Sequence, residues 1–166
     1  MTAAPKIAGR PLLIAAAAAI LTAFAGGSMT KIDAWYRGLE KSSLNPPDWA
    51  FAPAWTIIYM LAALAAAAGW RVMRSSAERA WLVSLFFFNA LLNIGWSGVF
   101  FTLRRPDWAM AELIALWISV ALLILLLGRR SGGAAALLIP YLCWVSFAGW
   151  LNYKVVALNG PFGTAP

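Results

Sequence analysis

Five long apolar runs, separated by short polar stretches, make up most of this chain. They cover residues 7–29, 49–70, 80–103, 108–128 and 134–156. A helix of about 20 apolar residues crosses the hydrocarbon core of a bilayer, and each run reaches that length. Membrane-spanning strands are shorter and alternate polar with apolar residues, which these runs do not. Backbone in lipid must satisfy its own hydrogen bonds, so uninterrupted runs predict helices. The expected fold is an all-α membrane protein, a five-transmembrane-helix bundle, in one domain over residues 1–159. Residues 160–166, rich in Gly and Pro, are expected to form a disordered tail. The first run has a second interpretation. Lys6 and Arg10 precede an apolar stretch containing Ala23-Phe24-Ala25, the outline of a secretory signal peptide; the length of the run favours a retained span.

Only the first connection is long, from Thr30 to Asp48. It carries Trp35, Tyr36, Pro46 and Pro47, with Trp49 directly after it. Rings and prolines there predict an ordered lid on the bundle, although an interfacial aromatic belt explains some of the rings.

Composition strengthens the membrane assignment. Apolar residues make up 63% and charged residues 11%, whereas soluble domains carry about 25% charge. The net charge of +7 comes from basic residues at the ends of apolar runs. That placement fits topology signals and lipid headgroups, and no basic stripe suggests a nucleic-acid partner. Seven basic residues fall on one side (Lys6, Arg10, Arg71, Arg74, Arg79, Arg129, Arg130) and six on the other (Lys31, Arg37, Lys41, Arg104, Arg105, Lys154). The balance leans only slightly to a cytoplasmic N-terminus. A helical bundle favours a bacterial inner membrane over an outer one. Cys143 is the one cysteine, and there is no histidine. His-ligated metal and haem sites and a His general base are therefore ruled out. No Gly-rich phosphate loop, nucleophile elbow or Cys/His metal spacing is present, and no cofactor is expected.

Function is carried by residues that share a helix face. Phe51, Trp55 and Tyr59 repeat every four residues, as do Asn89, Asn93 and Ser97, with Trp96 beside them. Trp108 and Glu112 are four apart, with Ala111 and Ala115 adjacent; Tyr141, Trp144, Ala148, Leu151 and Asn152 share one side of the last run. Polar groups at membrane depth face the interior, so the asparagines point inward, as interhelical glue or as ligand contacts. Glu112 is either an inward group or a surface acid favoured by its helix N-terminus. Trp55, Trp96 and Trp144 lie inside their spans, where large rings either fill a core or leave a pocket for a flat aromatic ligand. Ala15, Ala19, Ala23 and Gly27 form a small-residue ladder, and Gly95 and Gly98 expose backbone. Both favour close helix contact, within the bundle or in a homodimer.

Three sets of residues resemble the translocator protein family, which includes the bacterial tryptophan-rich sensory proteins and the peripheral benzodiazepine receptors. The first is Trp35-Tyr36 with Leu39, then Pro46-Pro47, Trp49, Phe51, Pro53, Trp55 and Tyr59-Met60. The second is Asn89, Asn93, Trp96-Ser97 and Phe100-Phe101. The third is Pro140-Tyr141-Leu142, Trp144, Phe147 and Leu151-Asn152, followed by Leu158-Asn159. The matches run in order through nearly the whole chain to Asn159. The resemblance implies a five-helix bundle, commonly dimeric, with a pocket beneath the first loop for porphyrins such as protoporphyrin IX, for sterols, or for synthetic aromatic drugs. The implied pocket positions are Tyr36, Phe51, Trp55, Asn93, Trp96, Trp108, Ala111, Trp144, Phe147, Ala148 and Leu151; the stripes add Tyr59 and Asn89. Some bacterial relatives break down protoporphyrin in light and oxygen, a role that would fall on Trp55 and Trp144.

Two departures qualify the resemblance. The sterol motif is incomplete, because Lys154 follows Tyr153 directly after Leu151-Asn152, and such motifs are weak patterns in any case. Asn89 stands where many relatives have glutamine. The expected function is a tetrapyrrole-binding sensor or regulator, with porphyrin photodegradation and transport of an amphipath as alternatives. Against transport, there is no internal repeat.

Overall fold

The computed structural model describes residues 9–163. Its helices are α1 (Gly9–Met29), α2 (Ala34–Gly38), α3 (Phe51–Val72), α4 (Ser76–Ser97), α5 (Pro106–Gly128), α6 (Gly132–Ala136) and α7 (Ile139–Asn159). Among the described residues, five spans are long and apolar enough to cross a membrane: Gly9–Met29, Asp48–Val72, Ser76–Thr102, Pro106–Gly128 and Gly132–Asn159. The chain is thus an all-helical, multi-pass membrane bundle, and the first apolar run is one of its packed members. The expected start of that run, at Ile7, lies outside the described residues.

Local chemistry moves several boundaries from where hydropathy alone sets them. The third span begins at Ser76 instead of residue 80 because a capping box initiates it. The Ser75 hydroxyl accepts from the Glu78 backbone N–H at 3.1 Å, and the Glu78 carboxylate accepts from the Ser75 N–H. Pro106 opens α5 in the first turn, where its missing N–H costs nothing. Pro140 sits at the start of α7 for the same reason, so the fifth span is split into α6 and α7. A π turn over Gly98–Thr102 widens the end of α4. The chain then reverses through Arg104, which has a φ of 52°, a left-handed conformation uncommon for a side-chain-bearing residue.

In the bundle, α1 packs on α3 and α4, α4 on α5, and α5 on α7, while α3 and α7 meet at few points. The dense side lies around α5, whose Val120, Leu123 and Leu127 are fully enclosed against Leu82, Ala65 and Val145. Gly69 makes room there for two leucine side chains. A Cβ at this position would lie 2.5 Å from Leu127 Cδ2 and 3.2 Å from Leu82 Cδ2. By contrast, α1 buries only Thr22 and Gly26 and exposes Leu13, Ile20, Leu21 and Phe24, as a helix facing lipid should.

The two ends of the bundle are tied differently. At one end Arg130 on the α5–α6 turn pairs with Glu78. At the other, the first loop is bound to three neighbours. Arg104 pairs with Asp33 at 3.0 Å. Asn159 exchanges two bonds with the Glu40 backbone, each 2.8 Å. Tyr36 packs against Phe101, their ring centroids 5.4 Å apart. Phe162 lies against this cluster as well, whereas composition predicts an unordered tail from Gly160; residues 164–166 lie outside the described residues.

Candidate functional site: an aromatic cavity under the lid

Beneath the first loop, α1, α3, α4 and α7 enclose a cavity of about 440 Å³. Its walls follow from the inward stripes. From α3 come Phe51, Trp55 and Tyr59; from α4, Asn93, Trp96 and Ser97; from α7, Trp144, Ala148, Leu151 and Asn152. Trp55 is central among the rings. It stacks on Tyr59 at 5.5 Å and meets Trp144 edge-on at 6.3 Å and Tyr141 at 6.1 Å. Phe51 meets the other side of Trp144 at 5.9 Å. Edge and offset contacts of this kind suit the aromatic quadrupole and hold the rings apart at fixed angles.

A chain of polar side chains forms the floor and ties four helices together. Tyr59 donates its hydroxyl to Asn93 Oδ1 at 2.6 Å. Asn93 Nδ2 donates to the Tyr141 hydroxyl oxygen at 3.1 Å, and Tyr141 donates in turn to Asn89 Oδ1 at 3.1 Å. Asn89 Nδ2 donates to Ser119 Oγ at 2.8 Å, whose own proton goes to the Leu116 carbonyl. Each donor is used once and in one direction, so a polar line crosses the bundle without leaving its members unpaired. Asn93 borders the cavity, whereas Asn89 lies behind it, fully committed to protein partners.

The roof is the lid. Asp33 caps α2 by accepting from the Tyr36 N–H at 3.0 Å. That bond, followed by the Arg104 guanidinium, holds the Asp33 carboxyl below its usual range. Tyr36 is buried, and burial, with the nearby Asp48 charge second, pushes its phenol up to about 12. Lys41 donates to the Tyr36 carbonyl at 2.6 Å and lies 4.2 Å from the Tyr36 ring centroid. Lys41, Asn45 and Asp48 therefore give the cavity a polar mouth above an aromatic interior.

Nine expected site residues come together in this cavity: Tyr36, Phe51, Trp55, Tyr59, Asn93, Trp96, Trp144, Ala148 and Leu151. Four do not line it. Asn89 belongs to the polar line. Trp108 is 55% exposed, with the Arg105 guanidinium 4.0 Å from its ring centroid. Ala111 is exposed. Both sit on α5, which turns Ala109 and Leu113 inward instead and has α4 and α7, not the cavity, as neighbours. Phe147 lines a separate groove on the outer face of α3 and α7. Glu112 is not a surface acid. Both its oxygens are enclosed without a hydrogen-bond partner, and Oε1 faces α4 at Gly95.

Periodicity missed the contribution of α1, where Ala23, Gly26 and Gly27, with Thr30 directly after the helix, border the cavity. Residues without bulk make space rather than contact, and only the small-residue ladder hinted at them. Phe100 and Phe101 were visible only in the resemblance motif. Among the described residues no cluster of three or more potential metal ligands occurs.

The sequence profile of the TspO/MBR family matches residues 12–158. The chain is 41% identical over 142 residues to the tryptophan-rich protein TspO of Chlorobaculum tepidum, covering 82% of this chain and 87% of that one. It is 35% identical over 133 residues to the tryptophan-rich sensory protein of Cereibacter sphaeroides, with 80% and 82% covered. To the human translocator protein it is 33% identical over 122 residues, with 73% and 72% covered. A five-span bundle with these motifs in place, matched over most of its length, belongs to the TspO/MBR family.

Proposed function

We propose that the cavity binds a planar tetrapyrrole of the protoporphyrin IX type, and that the protein acts as a membrane sensor or regulator of such compounds. One observation carries this reading: Trp55, Trp96 and Trp144, from three different helices, surround one cavity of about 440 Å³. Ligand sites of about 300–1,000 Å³ with apolar walls and a few fixed polar groups are typical of small-molecule pockets. Flat walls suit a conjugated macrocycle, and Lys41 at the mouth suits a carboxylate edge. With no histidine in the chain, a metal-free ring fits better than an axially ligated haem.

Quenching of tryptophan fluorescence by protoporphyrin IX in detergent tests the proposal. Trp55→Phe and Trp144→Phe should each weaken binding by roughly 3- to 10-fold, the equivalent of about 0.5–1.5 kcal/mol for one aromatic contact. Affinities equal to wild type in both variants remove the assignment.

The direct Trp55–Trp144 contact favours a second activity, light- and oxygen-dependent porphyrin breakdown. Under saturating porphyrin, illumination in air should then give new absorbing products in the wild type and not in either variant. Product formation no faster than in empty micelles removes it.

A further inference from the structure

Trp144 borders two spaces. One of its faces lines the cavity under the lid, and it also forms part of an outward groove with Ala54, Ile57, Ile58, Pro140, Cys143 and Phe147. That groove, about 380 Å³, lies between α3 and α7, two helices that meet at few points. It is almost wholly apolar. Ile57 is 58% exposed and Cys143 is exposed, with Ile58 buried at the base. All seven residues fall inside the spans Asp48–Val72 and Gly132–Asn159, so the medium against the groove is lipid hydrocarbon.

The two ways into the cavity are held unequally. The lid is fastened to the bundle by an ion pair and by paired bonds between Glu40 and Asn159, and is braced within itself by Lys41 on the Tyr36 carbonyl. Among the described residues the Trp144 ring makes no hydrogen bond. It makes edge contacts with Phe51 and Trp55 and a tilted contact with Phe147 at 6.0 Å. The ring also packs against the main apolar core, but all of these contacts are apolar, so a change of rotamer breaks no hydrogen bond. The apolar ring of a tetrapyrrole partitions into the bilayer and reaches this groove already dehydrated, while its carboxylate edge stays at the headgroup level.

We propose that the groove between α3 and α7 is a lateral port, occupied in transit by the ligand of the cavity, with the Trp144 ring as the partition between them. The proposal rests on the cavity's being the ligand site, and it adds the route by which the ligand reaches it from the bilayer.

A port controls rates and leaves the equilibrium alone, because it is crossed in both directions. Cys143 is the single cysteine, so an aromatic maleimide attached in detergent obstructs the groove at one known point. The protein is then returned to lipid nanodiscs and mixed rapidly with protoporphyrin IX, and tryptophan quenching is followed. Ile57→Trp obstructs the groove from the α3 side without a label. Cys143→Ser exposed to the same reagent is the control.

Association and dissociation should both slow by about tenfold in the labelled protein and in Ile57→Trp, with Kd within about twofold of wild type. The control should keep its rates. A further variant joins the lid by a disulfide between Glu40→Cys and Asn159→Cys, in the Cys143→Ser background, and should bind as fast as its reduced form. Unchanged rates in both obstructed proteins overturn the port while leaving the cavity assignment intact. Slow binding in the lid-locked protein also overturns it and makes the loop the way in. Absence of any quenching in the wild type overturns the tetrapyrrole assignment, and the port with it.

Discussion

The two halves of the bundle are alike in being largely apolar and opposite in packing. Around α5, aliphatic side chains interlock so closely that Gly69 has no room for a methyl group. Between α1, α3 and α7, the large rings of Trp55, Trp144 and Phe51 stand edge to face and enclose space. Branched aliphatic chains adapt to one another and close a core. Rigid rings fixed at steep angles cannot, and what they leave is a pocket with flat walls. Apolar content is therefore not the variable that separates scaffold from site in this protein. Side-chain shape is.

Substituting a glycine in each half tests the contrast most strongly. Gly69→Ala should destabilise the detergent-solubilised protein by about 1–3 kcal/mol, because Leu127 and Leu82 must shift within a packed core. In Gly26→Ala the added methyl would meet Ser97 Oγ at 3.6 Å, an ordinary contact. Its stability should change by less than about 0.5 kcal/mol, while the methyl narrows the cavity and alters ligand affinity. Thermal unfolding of the two variants side by side is the measurement. Equal losses would erase the distinction between the halves.

The polar line joins the halves and comes next in size. Asn89→Leu removes the link to Ser119 and leaves the Tyr141 hydroxyl without its acceptor. A loss of about 1–2 kcal/mol is expected, with ligand affinity nearly unchanged because Asn89 lies behind the cavity wall. A fall in affinity as large as that caused by Trp55→Phe would place Asn89 in the site after all.

Much of this arrangement was visible in the sequence because two signals overlapped. Long apolar runs marked the spans, and within them residues four apart brought Phe51, Trp55 and Tyr59, or Asn93 and Ser97, to one face. The signal failed on α5, where Glu112 reads either as an inward group or as a surface acid, so periodicity could not tell whether Trp108 and Ala111 or Ala109 and Leu113 face the bundle. The resemblance pointed to the first pair; packing selects the second. It failed again on α1, whose cavity-lining residues are mostly Ala and Gly and contribute space rather than side chains. The lid was anticipated from its prolines and rings, but not its fastening, which depends on residues as distant in sequence as Glu40 and Asn159.

The smallest expected effect concerns that lid. The Asp33 carboxyl is held low by the Tyr36 N–H and then by Arg104. A carboxyl depressed in the folded state contributes its stability above its unfolded value of about 3.9, and that contribution is lost as pH falls through the depressed value. Hydrogen exchange at the Tyr36 amide should therefore be flat, relative to its intrinsic rate, from neutral pH down to about 4 and accelerate below it. In Asp33→Ala it should already be fast at neutral pH. Equal protection in the variant would show that the lid does not depend on this cap.

The central claim is that ligand lies among Trp55, Trp96 and Trp144 and not against α5. Protoporphyrin IX titrations of Trp144→Phe and Trp108→Phe, each against wild type, test it most directly. Trp144→Phe should bind several-fold more weakly, by roughly 3- to 10-fold, and Trp108→Phe should match wild type. The opposite order, with Trp108→Phe impaired and Trp144→Phe unaffected, would contradict the claim.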